Sequence, residues 1–175
     1  MIRTLCLTVA LFCLGAVVSS AQDFPKPGPE HARLQEMEGT WDAVMDMGGH
    51  KSKCVATYES ICGGMWIEND FEGDLGGIPF KGHGLDGYDL QKKEYVGVWV
   101  DSMSSTPMQS VGTYDADKKT LKMTGTAPGP DGKPTKHTMT SHMKDADHMT
   151  FNMSMVGSDG KEQQAFTIEY TRRKK

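Results

Sequence analysis

From Trp41 to the end of the chain, apolar and polar residues alternate along short segments, the pattern of strands with one buried face. Glycine pairs and short polar stretches separate these segments, as in hairpin turns. The pattern predicts ten strands, at 41–47, 54–61, 65–72, 80–88, 95–101, 108–114, 120–126, 135–143, 148–156 and 163–173.

Regular short strands, hairpin turns and very little helix predict an all-β fold, an up-and-down antiparallel β-barrel of about ten strands. A closed ring also removes the unpaired edges that an open ten-stranded sheet would have to protect. One short N-terminal helix is expected at 30–38, because Pro29 suits a first helical turn and Gly39 a helix stop.

The chain divides into three parts. Residues 1–21 predict a cleaved signal peptide, with Arg3 before an apolar run and small residues, Ser19 to Ala21, at the cleavage site. The run is shorter than the roughly 20 residues that cross a bilayer, so no membrane anchor is expected after cleavage. Residues 22–29 predict a proline-rich linker, and 30–175 a single barrel domain. The protein is therefore expected to be exported, to the periplasm or the medium.

Charge and cysteine content narrow the function classes. The formal net charge is -4, and no basic run alternates with aromatic residues, which argues against nucleic-acid binding. Two cysteines remain after signal cleavage, Cys54 and Cys62. Eight extended residues span ~26 Å, whereas bridged Cα atoms lie roughly 4.4–6.8 Å apart. Two free thiols are expected, with a disulfide as the alternative.

The first and last predicted strands carry a fold signature. The Gly39-Thr40-Trp41 step, followed by an up-and-down barrel and a terminal Arg172, resembles the calycin group, which includes lipocalins and fatty-acid-binding proteins. An indole and a guanidinium at the same end of a closed sheet can stack and close the barrel floor. Trp41 and Arg172 are thus predicted to be structural residues.

A wider set of motifs resembles the bacterial family called domain of unknown function 1579. The motifs are Leu34-x-x-Met37-x-Gly39-x-Trp41, Gly63-Gly64-x-Trp66, Gly87-Tyr88-Asp89, Trp99-x-Asp101-Ser102-Met103-Ser104 and Gly112-x-Tyr114-Asp115. The chain has Met65 where this resemblance leads us to expect arginine, so no role of that arginine is carried over. The resemblance implies a barrel and export, and it implies no known reaction.

The leading functional hypothesis is a non-enzymatic barrel that binds a small apolar or amphipathic ligand, because ten strands enclose more space than their side chains fill. The predicted lining residues are Trp66, Tyr88, Trp99, Asp101, Met149 and Met153. Two alternatives remain open. The valines at 96, 98 and 100 could face inward in place of Trp99, and Asp101 could simply cap the turn that follows it.

Other functions are weaker alternatives. A filled barrel could form a homodimer through an outer apolar stripe. Haem could use His83, His137 or His148, and copper could use Met45 and Met47, Met153 and Met155, or His142 and His148. Gly82 to Gly87 matches a dinucleotide fingerprint, but no helix follows it, so we interpret its glycines as positions where the strand bends. No catalytic residue or cofactor is predicted, and whether any reaction is catalysed stays open.

Overall fold

The structure is a computed structural model, and it describes residues 24–129, 132–157 and 160–174. The predicted signal peptide lies outside these residues. One helix, α1 (Pro29–Gln35), precedes ten strands. They are β1 (Gly39–Met47), β2 (His50–Ile61), β3 (Trp66–Asp74), β4 (Pro79–Asp89), β5 (Glu94–Asp101), β6 (Met108–Asp115), β7 (Thr120–Pro128), β8 (Pro134–Asp145), β9 (His148–Val156) and β10 (Glu162–Arg172).

The strands form a closed antiparallel barrel. Each strand pairs with the next along the chain, and β10 returns to pair with β1, with Trp41 opposite Arg172. The predicted all-β barrel of ten strands with one short helix is therefore confirmed. Within the described residues, no helix has the length and apolarity needed to cross a bilayer.

Two element boundaries differ from the prediction by three residues or more. β2 begins at His50 because Gly48 and Gly49 both adopt positive φ, 65° and 98°, and form a two-residue turn. The backbone amide of Gly49 donates to Oδ1 of Asp46 at 2.7 Å, which fixes this turn. α1 ends at Gln35 because the amide of Met37 bonds three residues back, to the carbonyl of Leu34 at 3.1 Å, and tightens the chain into a turn.

Strand alternation decides which residues face the interior. Val98 and Val100 are 41% and 45% exposed, so the valine face of β5 points outward. Trp99 and Asp101 therefore point into the barrel. Cys54 and Cys62 are both free thiols, the first buried on the inner face of β2 and the second exposed.

Candidate functional site

Helix α1 covers one end of the barrel, and Arg172 holds it there. The guanidinium carbon of Arg172 lies 4.0 Å from the centroid of the Trp41 ring. Its nitrogens donate to the carbonyls of Glu36 and Ala146, each at 2.7 Å, and to the carbonyl of Glu38. The bonds to Glu36 and Glu38 satisfy carbonyls at and just beyond the end of the helix, and the bond to Ala146 reaches the turn between β8 and β9.

Aromatic rings fill the space directly beneath the helix. His31 is 1% exposed, and its ring meets the edge of Tyr88 at a centroid distance of 6.0 Å. Tyr88 in turn meets Tyr95 at 5.0 Å. The indole Nε1 of Trp41 donates to the carbonyl of Met37 at 2.8 Å, which anchors the chain where it leaves the helix. This end of the barrel is therefore packed and closed.

Beyond this floor, the interior holds a cavity of about 440 Å³. It extends toward the opposite end, where Leu75, Met103 and Pro128 border it close to the hairpin turns. Its wall is mostly apolar. Eight methionines line it, Met37, Met45, Met47, Met103, Met108, Met123, Met139 and Met153. The larger rings that line it belong to Tyr58, Phe71, Phe80, Trp99, Phe151, Phe166 and Tyr170.

Trp99 lies flat on the glycines of β4. A Cβ atom at Gly82 would overlap the indole, with Cη2 at 2.6 Å, and one at Gly84 would approach the ring to 3.1 Å. The indole Nε1 donates to Oδ2 of Asp101 at 2.9 Å, and Oδ1 of Asp101 accepts the amide of Met103 at 2.8 Å. Asp101 thus caps the turn and also orients the indole.

The glycines of the dinucleotide-like segment therefore provide space for rings. On the outer face, a Cβ atom at Gly87 would lie 2.5 Å from the ring of Trp66, its cross-strand partner. Such a distance is far shorter than van der Waals contact, so any larger residue would displace the indole. The two tryptophans cover opposite faces of the same strand.

Asp86 is the one cavity-lining acid of β4, and its environment is unusual. Burial alone raises the pKa of its carboxyl from the usual 3.8 to about 7. Within the described residues it has no hydrogen bond or ion pair to a side chain or backbone group. Its negative charge contributes, after burial, to the raised pKa of the nearby Tyr58 hydroxyl. The carboxyl group therefore borders the cavity without a positively charged or hydrogen-bonding partner among the described residues.

Asn69 is a second polar side chain without a full set of partners. Its Oδ1 atom is buried and accepts no hydrogen bond among the described residues. Asn69 pairs with Gly84, and Asp86 pairs with Ile67, so the two polar side chains are diagonal neighbours on the inner face of β3 and β4. They form a polar patch in an otherwise apolar wall.

The sequence-predicted lining residues occupy different places. Trp99, Asp101 and Met153 border the cavity. Tyr88 packs beneath α1, and Met149 borders a small separate space under the helix. Trp66 shares the outer face of β3 with Glu68 and Asp70.

Asp86 and Asn69 are not among the lining residues predicted from the sequence, although strand parity marks both. Asn69 alternates with Ile67 and Phe71 on the inward face of β3, and Asp86 has the parity of Phe80 on β4. A polar residue within an apolar face is unusual enough to suggest a site. Applied strand by strand, this signal would have pointed to the polar patch.

The histidines considered for metal or haem are dispersed. The ring Nδ1 of His83 lies 2.8 Å from Oδ1 of Asp70, and that of His148 lies 2.8 Å from Oδ1 of Asp145, both exposed. His142 bonds the carbonyl of Lys118. His137 borders the cavity, and its Nδ1 lies 2.9 Å from the carbonyl of Thr135. In the part of the chain that the structure describes, no three His, Cys, Asp or Glu side chains cluster as metal ligands would.

The family model described as "Protein of unknown function (DUF1579)" matches residues 26–172. The chain belongs to this family. The match spans α1 and all ten strands, so the closed floor and the cavity-forming sheet both lie within the family's domain. No curated protein matches the sequence at a significant level.

Solved structures resemble the fold at low sequence identity. The crystal structure of Rv2717c from M. tuberculosis superposes with a TM-score of 0.63 at 13% identity, over 84% of this chain and 99% of that chain. A de novo designed fluorescence-activating β-barrel gives a TM-score of 0.45 at 18% identity, over 80% of this chain and 96% of that chain. At these identities the likeness to Rv2717c shows the fold alone.

Proposed function

We propose that this protein is a non-enzymatic binding barrel that takes a small amphipathic ligand into its interior. The observation that carries the proposal is the cavity of about 440 Å³ with an apolar wall and one polar patch. Ligand sites in proteins are commonly concave spaces of ~300–1,000 Å³, lined by apolar groups with a few polar anchors. Both the size and the chemistry of this interior meet that description.

The methionine content of the wall supports the same role. Thioether side chains are unbranched, polarizable and flexible, so they adapt to ligands of different shape better than branched side chains do. Met123, Met139 and Met153 lie side by side on β7, β8 and β9, since each is the direct cross-strand partner of the next. They give one wall of the cavity an adjustable surface.

The architecture and location form part of the proposal. A closed floor beneath an N-terminal helix, with a cavity above it, is the arrangement expected of a calycin-like carrier. The apolar segment and small residues of 1–21 support export to the periplasm or the medium. Mass spectrometry of the protein recovered from its own host would test this, with a mature chain that begins near Gln22 as the expected result and an intact Met1 as the contrary one.

Binding is tested by filling the cavity. Ala127 borders the cavity and Thr126, the adjacent residue on β7, is exposed on the outer face. We expect Ala127→Phe to weaken the binding of Nile red, a neutral dye whose fluorescence rises in apolar surroundings, by tenfold or more. Thr126→Phe adds the same ring outside and should leave dye binding unchanged.

The outcome separates the proposal from its competitors. If both variants bind the dye like the unmodified protein, the dye sits outside the barrel and the proposal fails. Native mass spectrometry of the gently purified protein adds an independent reading, because a ligand held in the cavity would appear as a discrete additional mass.

A homodimer is the second candidate role. Val98 and Val100 on β5 and Val111 on β6 are each more than two-fifths exposed and lie on neighbouring strands of the outer face. Exposed apolar side chains that lie near one another on a surface favour the pairing of subunits. Light scattering on the purified protein would show a dimer that Val98→Lys converts to a monomer, while a monomeric unmodified protein would contradict this role.

A further inference from the structure

Two polar side chains of the cavity wall, Asn69 and Asp86, have acceptor oxygens to which no group among the described residues donates. Oδ1 of Asn69 has no partner, and the carboxyl group of Asp86 has no hydrogen bond or ion pair among the described residues. A buried oxygen such as Oδ1 of Asn69 is almost always paired, because an unpaired one loses its hydrogen bonds to water without replacement, whereas the half-buried Asp86 borders the cavity. A molecule that occupies this cavity would satisfy both atoms if it brought donors.

The strand register places these acceptors around one small volume. Gly97 on β5 lies opposite Asp86, and a Cβ atom at Gly97 would overlap Oδ1 of Asp86 and lie 2.9 Å from the hydroxyl of Ser110. The absence of a side chain at Gly97 thus leaves open the space that borders both the carboxyl and the hydroxyl group. On the other side, Tyr58 pairs directly with Asn69 and brings a further hydroxyl to the patch.

The charge of the wall favours one sign of ligand. None of the described residues that border the cavity is lysine or arginine. A fatty-acid carboxylate would therefore enter an apolar space that contains an acid and no cation to pair with it. A cationic head would instead find a carboxylate, with Trp99 two residues further along the neighbouring strand, and aromatic faces attract cations.

We propose that the ligand of this cavity carries a protonated amine on an apolar body, with the amine bound by Asp86 and Asn69; the inference rests on the binding role proposed above. The ammonium group donates hydrogen bonds to the side-chain oxygens of Asp86 and Asn69. The apolar body of the ligand lies along Met123, Met139 and Met153. The charge-assisted bond to Asp86 supplies the selectivity.

Asp86 is an ionisable group of the cavity wall whose raised pKa, about 7, lies near neutrality. Burial raises the pKa of both Tyr58 and Tyr170, so their hydroxyls stay neutral. Asp101 is engaged by the indole of Trp99 and the amide of Met103. His137 borders the cavity from β8, and its Nδ1 contacts the carbonyl of Thr135. Amine binding should therefore strengthen as pH rises through about 7, where Asp86 ionises.

Three probes of the same chain length test the head group: decylamine, decanol and decanoate. Calorimetric titration at about pH 8, where Asp86 is ionised and the amine is still protonated, is expected to rank them in that order. Decylamine should bind about tenfold or more tightly than decanol, the strength of one charge-assisted hydrogen bond. At about pH 5 the preference for the amine should fall, because Asp86 is then protonated.

Asp86→Asn provides the matched variant, since it keeps the shape and removes the charge. It should lose the preference for decylamine and keep the affinity for decanol. Asp70→Asn makes the same change on the outer face of β3 and should alter neither. The ranking of the three probes is measured on the unmodified protein, so it tests the proposal even if a variant fails to fold.

The possible outcomes separate the two proposals. If decanol or decanoate binds as tightly as decylamine, or if Asp86→Asn retains the amine preference, the amine assignment is wrong while the binding role stands. If none of the three probes nor Nile red binds, the binding role itself fails, and this inference with it.

Discussion

At the scale of single residues, Asp86 links the stability of the fold to pH. Its carboxyl has a pKa of about 7 in the folded protein and 3.8 when free of the fold, so the folded state holds the proton more tightly. The stability that this provides is complete below about pH 4 and is lost as pH rises toward 7. Ionised Asp86 then costs the empty barrel up to about 4 kcal/mol.

We therefore expect Asp86→Asn to stabilise the protein at about pH 8 and to have little effect at about pH 4. Urea unfolding across this range would show the free energies of unfolding of variant and parent diverging as pH rises. Asp70→Asn, which loses only an exposed pairing with His83, should change the free energy of unfolding far less. Parallel curves for Asp86→Asn and the parent would contradict the raised pKa.

The contact between Gly82 and Trp99 is a second determinant at this scale. Because an added methyl group would overlap the indole, Gly82→Ala is expected to cost about 1–3 kcal/mol, typical of overpacking. In a Trp99→Leu background the same substitution should cost much less, since the obstructing ring is gone. Chemical denaturation of the two single variants and the double variant measures this coupling. Additive effects would show that the indole does not press on Gly82.

At the scale of elements, alternation along the chain predicted all ten strands, because each presents one face to a common interior. It did not predict where β2 begins, since Lys51 and Lys53 on either side of Ser52 give that segment a polar appearance. The tight turn at Gly48 and Gly49 nevertheless starts pairing at once, with Met47 opposite His50. The turn conformation, and not the hydrophobic pattern, sets this boundary.

Arg172 is the side chain through which β10 holds α1 against the barrel. We expect Arg172→Gln to destabilise the fold by about 2 kcal/mol, because it removes the stacking on Trp41 and most of the bonds to helix-end carbonyls. Hydrogen exchange should quicken first in α1. Arg173→Gln is the matched control, since the side chain of Arg173 forms an exposed ion pair with Asp42 and such pairs contribute little. Equal effects of the two substitutions would argue against an anchoring role.

At the scale of the whole molecule, the cavity arises from ring closure and belongs to no single segment. Asn69, Asp86 and Met139 come from separate strands and become neighbours of one space only when β10 pairs with β1. Local periodicity could indicate that Trp99 or Met153 faces inward, provided that the inward face was chosen correctly. It could not distinguish the packed floor, where Tyr88 lies, from the open space above it, because both have the same alternating pattern.

This division of the interior predicts which methionines a ligand protects. Occupancy of the cavity should slow the oxidation of Met123, Met139 and Met153 by dilute peroxide, since a bound apolar body excludes the oxidant from their sulfur atoms. Met65 directly follows a 3-10 turn at Cys62–Gly64, near the closed end, and does not border the cavity. It should oxidise at the same rate with or without ligand. Peptide mass spectrometry with and without decanol gives each rate separately. Equal protection of all four methionines would indicate general stabilisation of the fold. Protection of Met123, Met139 and Met153 alone requires a ligand inside the cavity.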